Sequence, residues 1–566
     1  MKIKNKNYSI GVILTVLIVL CDIYMITIKL HYGMYFDESF LIAQAECFTR
    51  SIEFFRDSWS SFQFAGVIIA PLSLVYRLFI GSNDGIIYFF RIIWLIMQNI
   101  LAFASYRVLI KAEIPNGDNK DIKIPDSVAA CISACLYFYF AYFYSVNYKT
   151  LAFWGCSFIV LLLADNYRKP TVFKAIVLGV VLSFATLSYE SMAMMLFPIL
   201  LCLCFISKVK KIKAGKYCIT IVLTCAVCAG IFIGYAVFQI GLNDFLHYFS
   251  KFLGYEGYEQ NIFVKLGKHV IYYIAAFIAN FGIVTFYEKL IKEKIALSKF
   301  LFGYLLFLIA VIMFAKPQTI TISRVHYVMC IIYTLCMVLI FRYTSGVQKK
   351  YYIYLYIIPT GFYVLSIAVA TYQGIAVSSM GCILAVIPLF LISSPGQMNM
   401  KGVIAVITAM MVAVGLLVVP CIYTTNLTVF HYTEEITDGP AKGTRPLDFY
   451  VNKDIYEWQA MVDKYVLDTD KPLMLGNEYY SVGYLYCNAS KYGTYSPGYV
   501  FLDSDRLVDF WNTNIDRRPT VAIIKTVDLP CDFNEFLSDY PIGIFLDEYF
   551  DSWNYDGEYA IARIMN

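Results

Sequence analysis

About thirteen apolar stretches, each long enough to cross the roughly 30 Å hydrocarbon core of a bilayer, run along this chain between residues 9 and 425. They lie near 9–30, 85–108, 126–145, 148–166, 173–188, 190–206, 217–241, 268–287, 299–315, 325–343, 351–370, 375–393 and 402–425. Hydrocarbon offers no partner to a backbone amide or carbonyl, so a spanning segment must be a helix or part of a closed barrel. Runs of this length read as helices, and the chain as a multi-pass α-helical membrane protein. Composition agrees: 59% of residues are hydrophobic and 15% charged, against about 25% charged in soluble domains, with a mean hydropathy of +0.63. The N-terminus has a basic flank (MKIKNKNYSI) and a full-length apolar run with no small-residue cleavage site after it, which predicts an uncleaved first span.

The basic residues set the expected orientation. Segment 207–216 carries Lys208, Lys210, Lys211, Lys213 and Lys216. Segments 167–174 (Arg168, Lys169, Lys174), 288–299 (Lys289, Lys292, Lys294, Lys299) and 342–350 (Arg342, Lys349, Lys350) are basic too. All fall on one side if the N-terminus is cytoplasmic, as the positive-inside tendency requires. An odd helix count then puts 426–566 outside. That tail holds 23 Asp+Glu and 11 Lys+Arg, net −12, so the preceding residues carry +16 of the chain's net +4.

Two domains are therefore expected: a membrane region, 1–425, and a soluble extracytoplasmic domain, 426–566. Three outer loops are expected in the first: 31–84, which includes an amphipathic interfacial stretch (FAGVIIAPLSLVYRLFIG), 242–267 and 316–324. In the tail, PLMLG, TVAIIKT and YAIARIM read as strands and SDRLVDFWNTN and FNEFLSDY as helices, a small α/β domain. The 16 cysteines fall mostly in apolar segments and read as small buried hydrophobes. Cys487 and Cys531 lie outside the membrane region and are the pair open to a disulfide. The inner segments carry no Walker A loop, and no nucleic-acid partner is expected.

Functional polar residues concentrate on the outer side. In HYGMYFDESF, Asp37 and Glu38 follow the first span among Tyr32, Tyr35, Phe36 and Phe40. Adjacent carboxylates beside apolar surface read either as an acidic helix N-cap or a solvated loop pair, or as a site that binds something polar. In ITISRVHYVM, Arg324 and His326 stand at the outer mouth of a span, with Tyr327 beside them and Lys316 eight residues before Arg324. An arginine there either snorkels to phospholipid or grips a phosphate in a bidentate fork. Glu190 (LSYESM) and Lys149 (VNYKTL) end other spans on the same side, as interfacial anchors or as groups facing the same cavity.

Over residues 1–345 the order of these parts resembles the GT-C class of membrane glycosyltransferases. The parts are a first span, FDESF in a long outer loop, an amphipathic stretch, a helix opening GSNDGIIYFFR, closely spaced hairpins, and a late SRVHY. The resemblance implies a sugar donor linked to polyprenyl phosphate and an extracytoplasmic glycan, lipid or polymer acceptor. It implies Asp37 as the base, Glu38 as its neighbour and Arg324 as a phosphate ligand. His326, Tyr327, Lys316, Glu190 and Lys149 are expected around the substrate from their positions at the outer ends of spans. A divalent metal (Mg or Mn) is an alternative to arginine for stabilising the leaving phosphate. The tail, which shows no acid/base set, would orient the acceptor. The expected location is a cell membrane. The rivals are a polysaccharide flippase or polymerase, which calls for charges buried mid-helix, and a receptor or scaffold whose outer domain binds a ligand.

Overall fold

The computed structural model describes residues 4–34, 36–50, 53, 56, 63–116, 119–138, 144–253, 262–315, 322–370, 378–393, 434–446, 449–476, 479–487 and 505–564. The chain is mostly helical. It opens with α1 (Lys4–Thr27), a 3-10 turn (Lys29–His31), α2 (Phe36–Thr49), α3 (Gln63–Ile80) and α4 (Ile86–Leu109). A hairpin, β1 (Glu113–Asn116) and β2 (Asn119–Lys123), leads to α5 (Asp126–Phe138), α6 (Tyr148–Arg168) and α7 (Val172–Ser188). A 3-10 turn (Glu190–Met195) then runs into α8 (Leu196–Lys210). Next come α9 (Ala214–Ile240), α10 (Leu242–Leu253), α11 (Ile262–Phe286), α12 (Leu297–Ala315) and α13 (Ile322–Tyr343). The region ends with α14 (Gly346–Tyr352), α15 (Ile358–Ala370) and α16 (Val386–Ser393). Local chemistry starts several of these helices: the Asn147 side chain caps α6 by accepting from Thr150 N at 2.9 Å, and Thr171 caps α7 by accepting from Lys174 N at 3.2 Å.

Seven helical stretches among the described residues are long and apolar enough to cross a membrane: Ile10–His31, Ile86–Leu109, Tyr148–Arg168, Glu190–Lys210, Ala214–Ile240, Leu266–Ile291 and Gly346–Val369. The expected count of about thirteen is thus corrected. Among the described residues, five further runs give shorter apolar stretches (Asp126–Phe138, Val172–Ser188, Leu297–Leu308, Val328–Tyr343 and Gly381–Ser393), and 402–425 lies outside the described residues. Within the run from 375, a 3-10 turn, Ser379–Ala385, precedes α16. Among the seven, α6 is the most enclosed, with 72% of its apolar window buried against 11% for α9. α6 is therefore the axis of the bundle and α9 a peripheral helix whose apolar surface is largely exposed.

The segment expected as an outer loop, 31–84, is largely two packed helices. Every residue of α2 from Glu38 to Cys47 is buried. α3 turns Ser73 and Arg77 toward α2, where both donate to Glu46, and exposes Leu78, Phe79 and Ile80. That split suits a helix lying along an interface. The segment expected as a loop at 242–267 begins with α10, and of 316–324 only the start of α13 is described.

The tail forms α17 (Phe449–Tyr465), β3 (Pro472–Leu475), α18 (Tyr480–Tyr486), α19 (Asp505–Thr513), β4 (Val521–Lys525), α20 (Phe533–Asp539), α21 (Pro541–Tyr549), β5 (Asn554–Asp556) and β6 (Tyr559–Arg563). The sheet order is β3-β4-β6-β5, with β3 and β4 parallel and the other pairs antiparallel. Strand alternation sorts two cores. Met474, Val521, Ile523 and Ile561 join Trp458 and Tyr484 in a core continuous with the bundle. Leu473, Leu475, Ala522 and Ile524 pack with Trp511, Phe536 and Leu546, and with Phe245 and Tyr248 of α10. Cys487 and Cys531 are both free thiols, so no disulfide joins them.

Backbone hydrogen bonds fasten this unit to the membrane region. Gly33 N donates to Arg445 O at 2.9 Å, Arg445 N to His31 O at 2.6 Å, and Gly85 N to Gly439 O at 2.9 Å. Ser39 Oγ and Ser481 Oγ lie 2.7 Å apart, and Asn83 Nδ2 donates to Leu485 O at 2.8 Å. α2 is thus enclosed between α3 and the tail. α6 links two ends of the bundle: Tyr148 lies beside α2, while Tyr167 lies under Lys210 at 4.5 Å, near Asp121 of the hairpin.

Candidate functional site

The first turn of α2 carries two neighbouring carboxylates with different surroundings. Consecutive helical residues point about 100° apart, and here that angle separates them into two environments. Glu38 turns inward and is fully buried with Arg91 of α4. Arg91 Nε donates to Oε1 at 2.9 Å and Nη2 to Oε2 at 2.8 Å, a bidentate fork. The same guanidinium donates to Leu30 O at 2.7 Å and Gly33 O at 2.8 Å, and lies 5.5 Å from the centre of the Tyr144 ring. One buried arginine therefore pins the end of α1, the turn at Gly33 and the start of α2.

Asp37 turns the other way and keeps 17% of its side chain open. Its Oδ2 accepts from Lys149 Nζ at 2.9 Å and from Tyr148 Oη at 3.0 Å. Both donors come from the first turn of α6, which the Asn147 cap fixes. Lys149 is only 1% exposed, so its ammonium is tolerable there because a carboxylate meets it. The Tyr148 ring packs 5.6 Å from that of Tyr189, and Glu190 opens the next 3-10 turn. Glu190 therefore sits one aromatic pair away from Asp37, and among the described residues it forms no ion pair. The structure brings together Asp37, Glu38 and Lys149, with Glu190 alongside.

The cationic half expected from the late segment is not described. Lys316 lies outside the described residues. Arg324, His326 and Tyr327 fall in the first turns of α13, with their side chains outside the described set. As for a divalent ion, among the described residues no group of three or more His, Cys, Asp or Glu side chains converges. Asp37 and Glu38 already face a lysine and an arginine, so this donor set does not fit a metal.

Sequence reasoning missed the partners. Arg91 stands inside an apolar run and read as part of the helix opening GSNDGIIYFFR. Its burial distinguishes it from an anchor, and burial is a property of tertiary packing. Sequence reasoning also missed Glu46, two turns along α2. Glu46 accepts from Ser73 and from Arg77 Nη1 at 3.0 Å, with Asn83 Nδ2 at 3.5 Å and Arg50 Nε at 3.6 Å. The available signal was Gln44 and Glu46 embedded in LIAQAEC, polar groups too closely flanked by apolar ones for a solvated loop. Searches against protein-family models and curated proteins return no match for this chain.

Proposed function

We propose that this protein is a membrane glycosyltransferase of GT-C type that moves a sugar from a polyprenyl-phosphate carrier to an extracytoplasmic glycan, lipid or polymer. The observation that carries the reading is the Asp37 environment: a partly open carboxylate at the head of a buried helix, held by Lys149 and Tyr148. In this reading Asp37 takes the proton from an attacking acceptor hydroxyl, which a positioned carboxylate can do. Glu38, with both oxygens on Arg91, positions the turn and takes no proton. Lys149 and Arg324 are the cations available to a leaving phosphate, whose charge grows as the glycosidic bond breaks. The N-terminus is cytoplasmic, and the tail lies outside with α2, where it faces the acceptor.

Asp37→Asn keeps the shape and removes the proton acceptor. Turnover of a purified polyprenyl-phosphate sugar should fall by about a hundredfold or more, with donor binding nearly unchanged. Normal turnover in that variant sinks the reading. Orientation has its own test: a cysteine at exposed Val527, in a chain with Cys531→Ser, should react with an impermeant maleimide in intact spheroplasts. Labelling only after lysis would put the tail inside. One observation favours the transporter alternative. Asp22, within α1, accepts from Tyr137 Oη at 2.6 Å and Asn99 Nδ2 at 3.1 Å, and an intramembrane carboxylate is a common transport element. Proton-coupled lipid movement abolished by Asp22→Asn would select that reading.

A further inference from the structure

On the tail, the turn after β4, the start of α20 and edge strand β5 line an open cleft of about 390 Å³. One wall is aromatic. Tyr555 is 63% exposed, and its ring stands edge-on to Phe533 at 5.9 Å and 83°. Phe533 is held in turn by Trp553 at 5.1 Å, so the platform is braced from behind. The rim is polar: Thr526, Asp532 and the exposed amide of Asn534 line it. Burial, and then the charges of Glu535, Asp532 and Asp539, raise the thiol of Cys531 above its ordinary range. The cleft thus sits in an acidic surround on a domain of net charge −12.

We propose that this cleft binds a neutral pyranose unit of a glycan, with Tyr555 as its stacking platform. A sugar ring presents a C–H face that packs against an aromatic ring, and hydroxyls that pair with a carboxylate and an amide. Concave sites with an apolar wall and a few placed polar groups are the general pattern for small ligands. The acidic surround disfavours phosphate- or uronate-bearing polymers, because like charges repel at close range. Calling this glycan the acceptor rests on the transferase reading; its binding does not.

The full chain in nanodiscs is titrated with neutral tetrasaccharides (β-1,4-linked N-acetylglucosamine, β-1,4-linked glucose and α-1,6-linked mannose) and with tetragalacturonate, read by saturation-transfer NMR. At least one neutral probe should bind and tetragalacturonate should not. Tyr555→Ala should weaken binding by about tenfold, the scale of one aromatic contact. Tyr555→Phe, which keeps the ring, should bind as the parent does, and Asn534→Ala should bind more weakly. No neutral binding, unchanged binding in Tyr555→Ala, or preference for tetragalacturonate overturns the proposal. Intact glycan binding in a chain that transfers no sugar overturns the transferase reading and leaves the cleft standing. Sugar transfer with no Tyr555-dependent binding does the reverse.

Discussion

α2 and α9 invert the usual relation between hydropathy and burial. α9 is one of the most apolar helices, yet Ile219, Leu223, Val227, Ile231 and Phe238 are all exposed. α2 contains Asp37, Glu38, Ser39, Gln44 and Glu46, and its residues 38–47 are all buried. In water the hydrophobic effect would forbid this arrangement. In lipid an exposed leucine costs nothing, and polar groups gather where partners can satisfy them. What encloses α2 is two sets of ion pairs, on Arg91 and on Glu46, and the tail that closes over them.

The comparison breaks most severely if the tail is removed. Without residues 434–566, α2 loses its outer cover, including the Ser39–Ser481 contact. Each large apolar side chain newly exposed costs about 1.5–3 kcal/mol. The truncated chain should fail to purify as a monodisperse species and should not bind donor lipid, as size-exclusion chromatography and lipid binding would report. A well-folded truncation that binds donor would restore the simpler division in which the tail serves the acceptor alone.

Next in size is Arg91→Ala. It leaves Glu38 buried without its partner, a change that costs about 3–5 kcal/mol. The thermal midpoint in detergent should drop, and Arg91→Ala with Glu38→Gln should recover part of the loss. No recovery in the double variant would mean that Arg91 acts through its carbonyl contacts to Leu30 and Gly33 instead.

Asn83→Ala sharpens the picture at lower cost. It removes the hydrogen bond to Leu485 O and one donor from Glu46, worth about 1–3 kcal/mol where a buried group is left unmade. Hydrogen exchange should rise in α18 more than in α17. Uniform loss across the tail would show that the junction is one cooperative unit.

The smallest effects should come from α9 and from exposed ion pairs. Ile231→Leu, on an exposed apolar surface, should change stability by less than about 0.5 kcal/mol. Lys464 and Tyr465 hold the Asp556 carboxyl below its ordinary range through hydrogen bonds. A depressed carboxyl stabilises above its unfolded pKa of 3.8 and loses that contribution as pH falls through the folded value. Lys464 is exposed and Asp556 partly so, so Lys464→Ala should leave the thermal midpoint at pH 7 unchanged within error. A clear drop would contradict the weakness expected of surface pairs.

Much of the outline was legible. Seven of the spans coincide with apolar runs read along the chain. PLMLG, TVAIIKT and YAIARIM become β3, β4 and β6, and SDRLVDFWNTN and FNEFLSDY contain α19 and α20. α17, with its many charged residues, and the short α18 were not anticipated, because their apolar residues face a core supplied by other segments. The candidate site was legible as residue types at a boundary, Asp37, Glu38 and Lys149, but not as pairs.

Sequence alone determined that this chain is a membrane helical protein, because apolar run length is a local property that hydrocarbon acts on directly. It also determined where the acidic motif falls, one turn after the first span. The tertiary structure decided which carboxylate is open and which is sealed. Asp37 and Glu38 are adjacent and chemically alike, and only the 100° step of the helix, set against Lys149 of α6 on one side and Arg91 of α4 on the other, gives them different work. It decided likewise that the described part of 31–84 is largely two packed helices, α2 buried and α3 with one face exposed. The groups that cover it arrive from residues 434–446 and 480–487, some 400 positions later, and no local pattern can register a partner that distant in the chain.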